Sequence, residues 1–155
     1  MGMPFWGKLI PFKSVRKNLK RKWQKKEFWR IYKNKAEACC DIGNFDDLIA
    51  KGCVFPHLTG IVISSRAQIG NNCVFYQNVT IGRKSYLADK KSHSGEYPQI
   101  GNGVIVYSGA VVVGPIKIGD YAVIGANAVV MQDVPAGAVA VGIPAKIIRQ
   151  SEICG

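Results

Sequence analysis

The sequence predicts an all-β chain, a stack of three-sided coils preceded by a short basic helical arm. Three observations carry the prediction. An aliphatic or aromatic residue recurs every sixth position, a small or apolar residue lies two places before each, and Gly or Asn commonly follows. A period of six fits neither an amphipathic helix, at about 3.6, nor a single long strand, at about 2. It fits short strands joined by tight corners, where Gly and Asn supply unusual backbone angles.

The arm comes first, over residues 1–40. The chain has 155 residues, enough for one domain with a moderate core. Its formal net charge is +11, and residues 1–36 hold twelve of the 21 Lys and Arg against a single acid, Glu27. The remaining residues carry nine of each sign, so any argument from basicity concerns the arm alone. At helical spacing Phe12, Val15, Leu19 and Trp23 share one face, with Arg16, Lys17, Lys20, Arg21 and Lys22 around the rest. Two roles are open to such a helix: peripheral contact with an anionic membrane surface, or packing on the body with its lysines in water. A neutral body argues against nucleic acid as the partner.

The start, "MGMPFWGKLIPFKS", has no uninterrupted apolar core of the kind a secretory leader carries. No apolar run reaches the roughly 18–20 residues of a spanning helix. Five cysteines form no CxxC pair and two histidines are too few to complete a zinc site, so no metal is expected. Reduced thiols in the cytoplasm are the expectation, peripheral on the inner face of the membrane if the arm binds it.

The coil follows, over residues 41–149. The six-residue series runs Ile63, Ile69, Phe75, Ile81, and after a gap Ile100, Val106, Val112, Ile118, Ile124, Val130. The companions two places earlier are Ile61, Ala67, Cys73, Val79, Pro98, Val104, Ala110, Ile116, Ala122 and Ala128. Three hexads make one coil of 18 residues, which stacks Ile63 on Ile81, Ile100 on Ile118, Val106 on Ile124 and Val112 on Val130. A β-sandwich would space its strands irregularly, about 8–12 residues apart. The gap, "RKSYLADKKSHSGEYP", keeps no register and reads as a protruding loop over 83–99. Residues 150–155 read as a tail.

The stretches "IGNNCVFYQNVTIG" and "IGDYAVIGANAVVMQDVPAGAVAVGIPAKII" resemble the hexapeptide-repeat acyltransferases. The resemblance implies a left-handed parallel β-helix of hexapeptide repeats, a hand that departs from the usual crossover rule. It also implies a homotrimer with acetyl-CoA bound in clefts between neighbouring prisms. "PHLTGIVISSRAQI" resembles the serine acetyltransferase branch, and the match places His57 on that branch's catalytic histidine. The chemistry suits it: a hydroxyl is a poor nucleophile at neutral pH and needs a base, and imidazole has a fitting pKa. A structural role is also open, because His57 lies six residues before Ile63, at an inward position of the register.

The same resemblance implies roles for other residues. Asp41 stands sixteen residues before His57 as the candidate orienting carboxylate, with Asp46 and Asp47 close by. A solvated acid is the alternative for Asp41. Ser108 and Ala126, one coil apart, would let pantetheine approach the backbone, and Met131, Gln132, Lys146 and Arg149 would complete the acetyl-CoA site, the two cations toward phosphates; ordinary corner residues for the first pair and solvated surface for the cations are the alternatives. Tyr97 and His93, from the loop, are the candidate acceptor contacts, and a solvated loop residue is the other reading of His93.

Departures from the serine enzymes bear on the acceptor. Pro56 stands where they carry an acid, and Glu96-Tyr97 where they carry the Arg-His pair that binds serine. The short form, with "FPH" and "YQNVTIG", resembles O-acetyltransferases of capsule, exopolysaccharide and lipopolysaccharide synthesis. The expectation is therefore acetyl transfer to a sugar hydroxyl of a surface polysaccharide, the glycan acceptor free or lipid-linked. Serine O-acetylation and a non-catalytic trimeric scaffold are the alternatives. A γ-type carbonic anhydrase would need three histidine ligands, and the chain holds two.

Overall fold

The computed structural model describes residues 39–84 and 96–150, the last two by their backbone alone. The expected arm, His93 and the tail beyond residue 150 lie outside the described residues. Among the described residues thirteen strands, most of two or three residues, are numbered here β1 to β13, and one short helix, α1, spans Phe45–Ala50.

The strands form three parallel sheets that make the sides of a prism. The first sheet runs β1 (Asp41–Ile42), β2 (Val62–Ile63), β5 (Thr80–Gly82), β8 (Val111–Val113) and β11 (Val129–Val130). The second runs β4 (Val74–Phe75), β7 (Ile105–Val106), β10 (Val123–Ile124) and β12 (Ala138–Val141), with β13 (Lys146–Gln150) antiparallel at its end. The third is β3 (Gln68–Ile69), β6 (Gln99–Ile100) and β9 (Lys117–Ile118).

The expected stacking is the observed register. Ile63 pairs with Ile81, Ile100 with Ile118, Val106 with Ile124 and Val112 with Val130. All ten residues of the six-fold series are buried, and Phe75, Ile81, Val106, Val112, Ile124 and Val130 are fully enclosed. Side chains of this size contribute about 1.5–3 kcal/mol each when taken fully out of water. No buried polar or charged residue interrupts this core among the described residues.

Two corners of the prism turn through the left-handed region. Asn72, Gly103 and Tyr121 do so between the third and second sheets, with φ of 57°, 65° and 59°. Asn78, Gly109 and Asn127 do so between the second and first, with φ of 59°, 71° and 55°. A side chain on Gly109 would run into that of Asn127 one coil away, which is why glycine and asparagine alternate down that corner.

The loop accounts for the break in period. Ile81 lies in the first sheet and Ile100 in the third, so the chain passes only from one side to the next between them. Nineteen residues do what six do elsewhere, and thirteen are therefore extra.

Both ends of the coil are closed. At the start, α1 buries Phe45 and Leu48; the Phe45 ring meets Phe55 at a tilt of 53° and 5.2 Å, and Phe55 stacks on Phe75 at 5.7 Å. At the finish, β13 folds back along β12. Asp41 and Ile42, whose surroundings do not keep the repeat, join the first sheet beside Val62 and Ile63. No helix among the described residues is long and apolar enough to cross a membrane.

The outer surfaces of the three sides differ. Outward residues are Val62, Thr80, Val111 and Val129 on the first sheet, and Val74, Ile105, Val123 and Val139 on the second. On the third they are Gln68, Gln99 and Lys117. Two sides are thus aliphatic outside and one is polar.

Candidate active site

The corner between the second and first sheets is crossed four times. Three crossings follow one pattern: Tyr76-Gln77-Asn78-Val79, Tyr107-Ser108-Gly109-Ala110 and Gly125-Ala126-Asn127-Ala128. Backbone bonds hold successive crossings in line, from Gly109 N–H to the Gln77 carbonyl at 3.0 Å and from Asn127 N–H to the Ser108 carbonyl at 2.9 Å. Gln77, Ser108 and Ala126 therefore stand in one column, a coil apart.

The first crossing is two residues longer. Eight residues separate Phe55 from Ile63, where six separate Phe75 from Ile81. Thr59 takes the column position, its carbonyl accepting from Asn78 N–H at 2.9 Å. The surplus forms a bulge at Pro56-His57-Leu58, held by Thr59 N–H donating to the His57 carbonyl at 3.0 Å.

The bulge corrects the inward placement of His57. Val54 bridges to Val74, so Phe55 fills the core position below Phe75, and His57 is exposed. Counting six back from Ile63 misses this because the count assumes an unbroken period. On the surface, the His57 ring lies 6.4 Å from that of Tyr76 at 46°. Tyr76 in turn stacks on Tyr107 at 5.1 Å and 16°. Burial, and then the neighbouring Tyr107, push the Tyr76 phenol above its ordinary pKa.

The fold brings His57, Ser108 and Ala126 to this one corner. It adds Gln77, Tyr76 and Tyr107, which the hexad pattern could have indicated by their place one and two residues after an inward position. Other expected residues lie elsewhere. Asp41 is exposed on β1, paired with Val62, and forms no ion pair or side-chain hydrogen bond with His57. Met131 and Gln132 are exposed where the chain leaves the first sheet for the third, and Gln132 Nε2 donates to the Ala145 carbonyl at 3.3 Å. Lys146 is exposed at the start of β13, and Arg149 pairs with Val139 along the same strand.

Tyr97 is half-buried at the corner between the first and third sheets, with the Arg66 guanidinium 5.8 Å from its ring centre. Beside it, Arg83 Nη1 and Glu96 Oε2 are 4.0 Å apart, a loose pair, and that Glu96 oxygen is buried without a hydrogen bond. A groove of about 760 Å³ lies away from His57, over the third sheet between α1 and Gln68, Gln99 and Lys117. Its mixed polar floor belongs to the polar side of the prism. No group of three or more metal-ligating side chains occurs among the described residues.

A family model for the bacterial transferase hexapeptide, in six repeats, matches residues 97–132. Over that stretch the chain carries the hexapeptide repeat of the bacterial transferases.

Relatives within the superfamily are serine acetyltransferases. That of Mycobacterium tuberculosis is 44% identical over 96 residues, covering 62% of this chain and 40% of the relative. That of Helicobacter pylori is 41% identical over 102 residues, covering 66% and 57%. Among solved structures, the Neisseria gonorrhoeae serine acetyltransferase matches with a TM-score of 0.60 at 34% identity, over 75% of this chain and 41% of that one. A serine acetyltransferase in complex with CoA matches with a TM-score of 0.55 at 35% identity, over 71% and 40%. The chain thus spans between two fifths and three fifths of the length of these curated relatives.

Two consequences follow for the superfamily reading. The coil has the left hand that the repeat family implies. The sugar hydroxyl of a surface polysaccharide, expected from the altered residues Pro56, Glu96 and Tyr97, is overturned by these relatives, which carry the name of serine enzymes.

Proposed function

We propose that the chain is an acyltransferase that moves acetyl from acetyl-CoA to the hydroxyl of serine, with His57 as general base. The observation that carries this reading is the 44% identity with a serine acetyltransferase. The geometry supports it, because the exposed histidine shares one corner with Ser108 and Ala126, whose small side chains suit an extended pantetheine.

The step is direct. The serine oxygen attacks the thioester carbon as its proton passes to the His57 imidazole. The tetrahedral oxyanion is held by hydrogen-bond donors, and it collapses as the C–S bond breaks. The proton then leaves His57 for the CoA thiolate or solvent. Asp41, on the neighbouring strand of the first sheet, orients the imidazole once ligands bind. Met131, Gln132, Lys146 and Arg149 serve the remainder of the CoA.

A trimer completes the site. The two aliphatic sides of the prism meet at the His57 corner, and burying them against neighbouring subunits encloses that corner. The edge carrying Arg83, Glu96 and Tyr97 lies across the first sheet and reaches the acceptor from the adjacent subunit. Arg83 there matches the carboxylate of the amino acid and Glu96 its ammonium group.

The test is release of CoA thiol from acetyl-CoA with and without L-serine, with the product identified by mass. Serine-dependent release and a product heavier by one acetyl group are expected. Turnover of acetyl-CoA that serine does not stimulate overturns the assignment.

A further inference from the structure

Gln77 stands directly between the His57 bulge and Ser108 in the corner column, and its environment is unusual. Its Oε1 is buried without a hydrogen-bond partner, while its Nε2 donates to no described residue. Reversing the amide would enclose an unpaired N–H₂ instead, and orphaned buried donors are rarer than orphaned acceptors. The arrangement therefore turns the donor end outward. Its chain neighbours fix it against the base: Tyr76 faces the imidazole at 6.4 Å, and Asn78 N–H bonds to Thr59 at 2.9 Å.

Neighbouring strands lie about 4.8 Å apart, so Ser108 is one step and the Thr59 position two steps along the column from Ala126 and Ser108 toward His57. A pantetheine running past Ala126 and Ser108 toward the base brings its thioester to the level of Gln77. We infer that Gln77 contacts the reacting acyl group, its Nε2–H donating to the thioester carbonyl oxygen as that oxygen gains charge. The inference rests on the acetyl-transfer reading given above. Unpaired buried polar atoms are tolerated chiefly where they serve a function, and side-chain amides are known to hold oxyanions in other acyl transfers.

The test compares Gln77→Glu and Gln77→Leu with the unaltered protein in serine acetylation. Glu keeps the size and removes the donor, and Leu removes the donor together with the orphaned acceptor. Both should lower kcat by about 10²–10³-fold, with KM for serine unchanged in both and the pH midpoint of kcat/KM unchanged in the Leu variant. The Leu variant should melt no lower than the parent, because its buried unpaired oxygen is gone. A Glu variant within threefold of the parent kcat overturns the inference. So does an activity loss matched in both variants by a fall in melting temperature, which would mark a packing role. A parent protein without acetyl transfer overturns the underlying reading instead, and the Gln77 role falls with it.

Discussion

The His57 imidazole meets the Tyr76 ring from outside the coil, 6.4 Å centre to centre, while Phe55 two residues earlier fills the core beneath. The exposed imidazole and the packing residue are thus separated by the bulge. His57→Ala should remove about 10²–10⁴-fold of the activity and change stability by no more than about 0.5 kcal/mol. Thiol release and chemical denaturation on the same preparation check this. An inactive variant with a large stability loss would return His57 to a structural role.

Asp41 tests how the imidazole is oriented. It is exposed on β1, so replacement costs little packing. Asp41→Asn should lower kcat about tenfold or more, by analogy with other orienting partners of a base, and leave the melting temperature in place. The measurement is kcat across pH for both proteins. Unaltered turnover would leave Asp41 a surface acid.

Gly109 holds φ at 71°, and an added methyl there would collide with the Asn127 side chain one coil away. Gly109→Ala should destabilise by about 1–3 kcal/mol, combining backbone strain with the displaced neighbour. Urea unfolding measures it. A midpoint equal to the parent's would show that the corner relaxes freely.

Tyr121 presents the opposite case. It holds φ of 59° with a branched-ring side chain that is 47% exposed. Asn accepts the left-handed region more readily, so Tyr121→Asn should stabilise by about 0.5–1 kcal/mol. A lowered unfolding midpoint would mean that the ring's contact over Gly103 outweighs the backbone gain.

The thiols should separate by burial. Cys39 is exposed, while Cys53 and Cys73 are buried in successive coils. The hydrogen bond with Cys53, and then burial, push the Cys73 thiol far above its ordinary pKa. Raising the pH from about 7 to 9 increases thiolate at an exposed cysteine and should leave Cys73 unreactive. Alkylation followed by peptide mass analysis reads both, and labelling of Cys73 in the folded protein at pH 9 would contradict the packing.

The coil was legible because burial obeys a strict period: Ile63 to Val130 face inward without exception. Departures hid where the period breaks. The two residues added at Pro56-His57-Leu58 shift the inward role to Phe55, and nothing in the local composition marks the shift. α1 was invisible for a related reason, since Phe45 and Leu48 satisfy a single helical turn too short to show a pattern. Gln77 was passed over because an orphaned amide oxygen is a property of packing, and no spacing rule registers it. The acceptor was misjudged on a few altered loop residues, Glu96 and Tyr97, whose effect depends on what faces them.

The thirteen residues between the first and third sheets enter and leave at adjacent sides of the same turn, so the ladder above and below them is undisturbed. Such a segment can change in length and chemistry while the framework that bears it keeps its register and its stability. The chain can thus be edited at this one excursion without unfolding the stack that carries it.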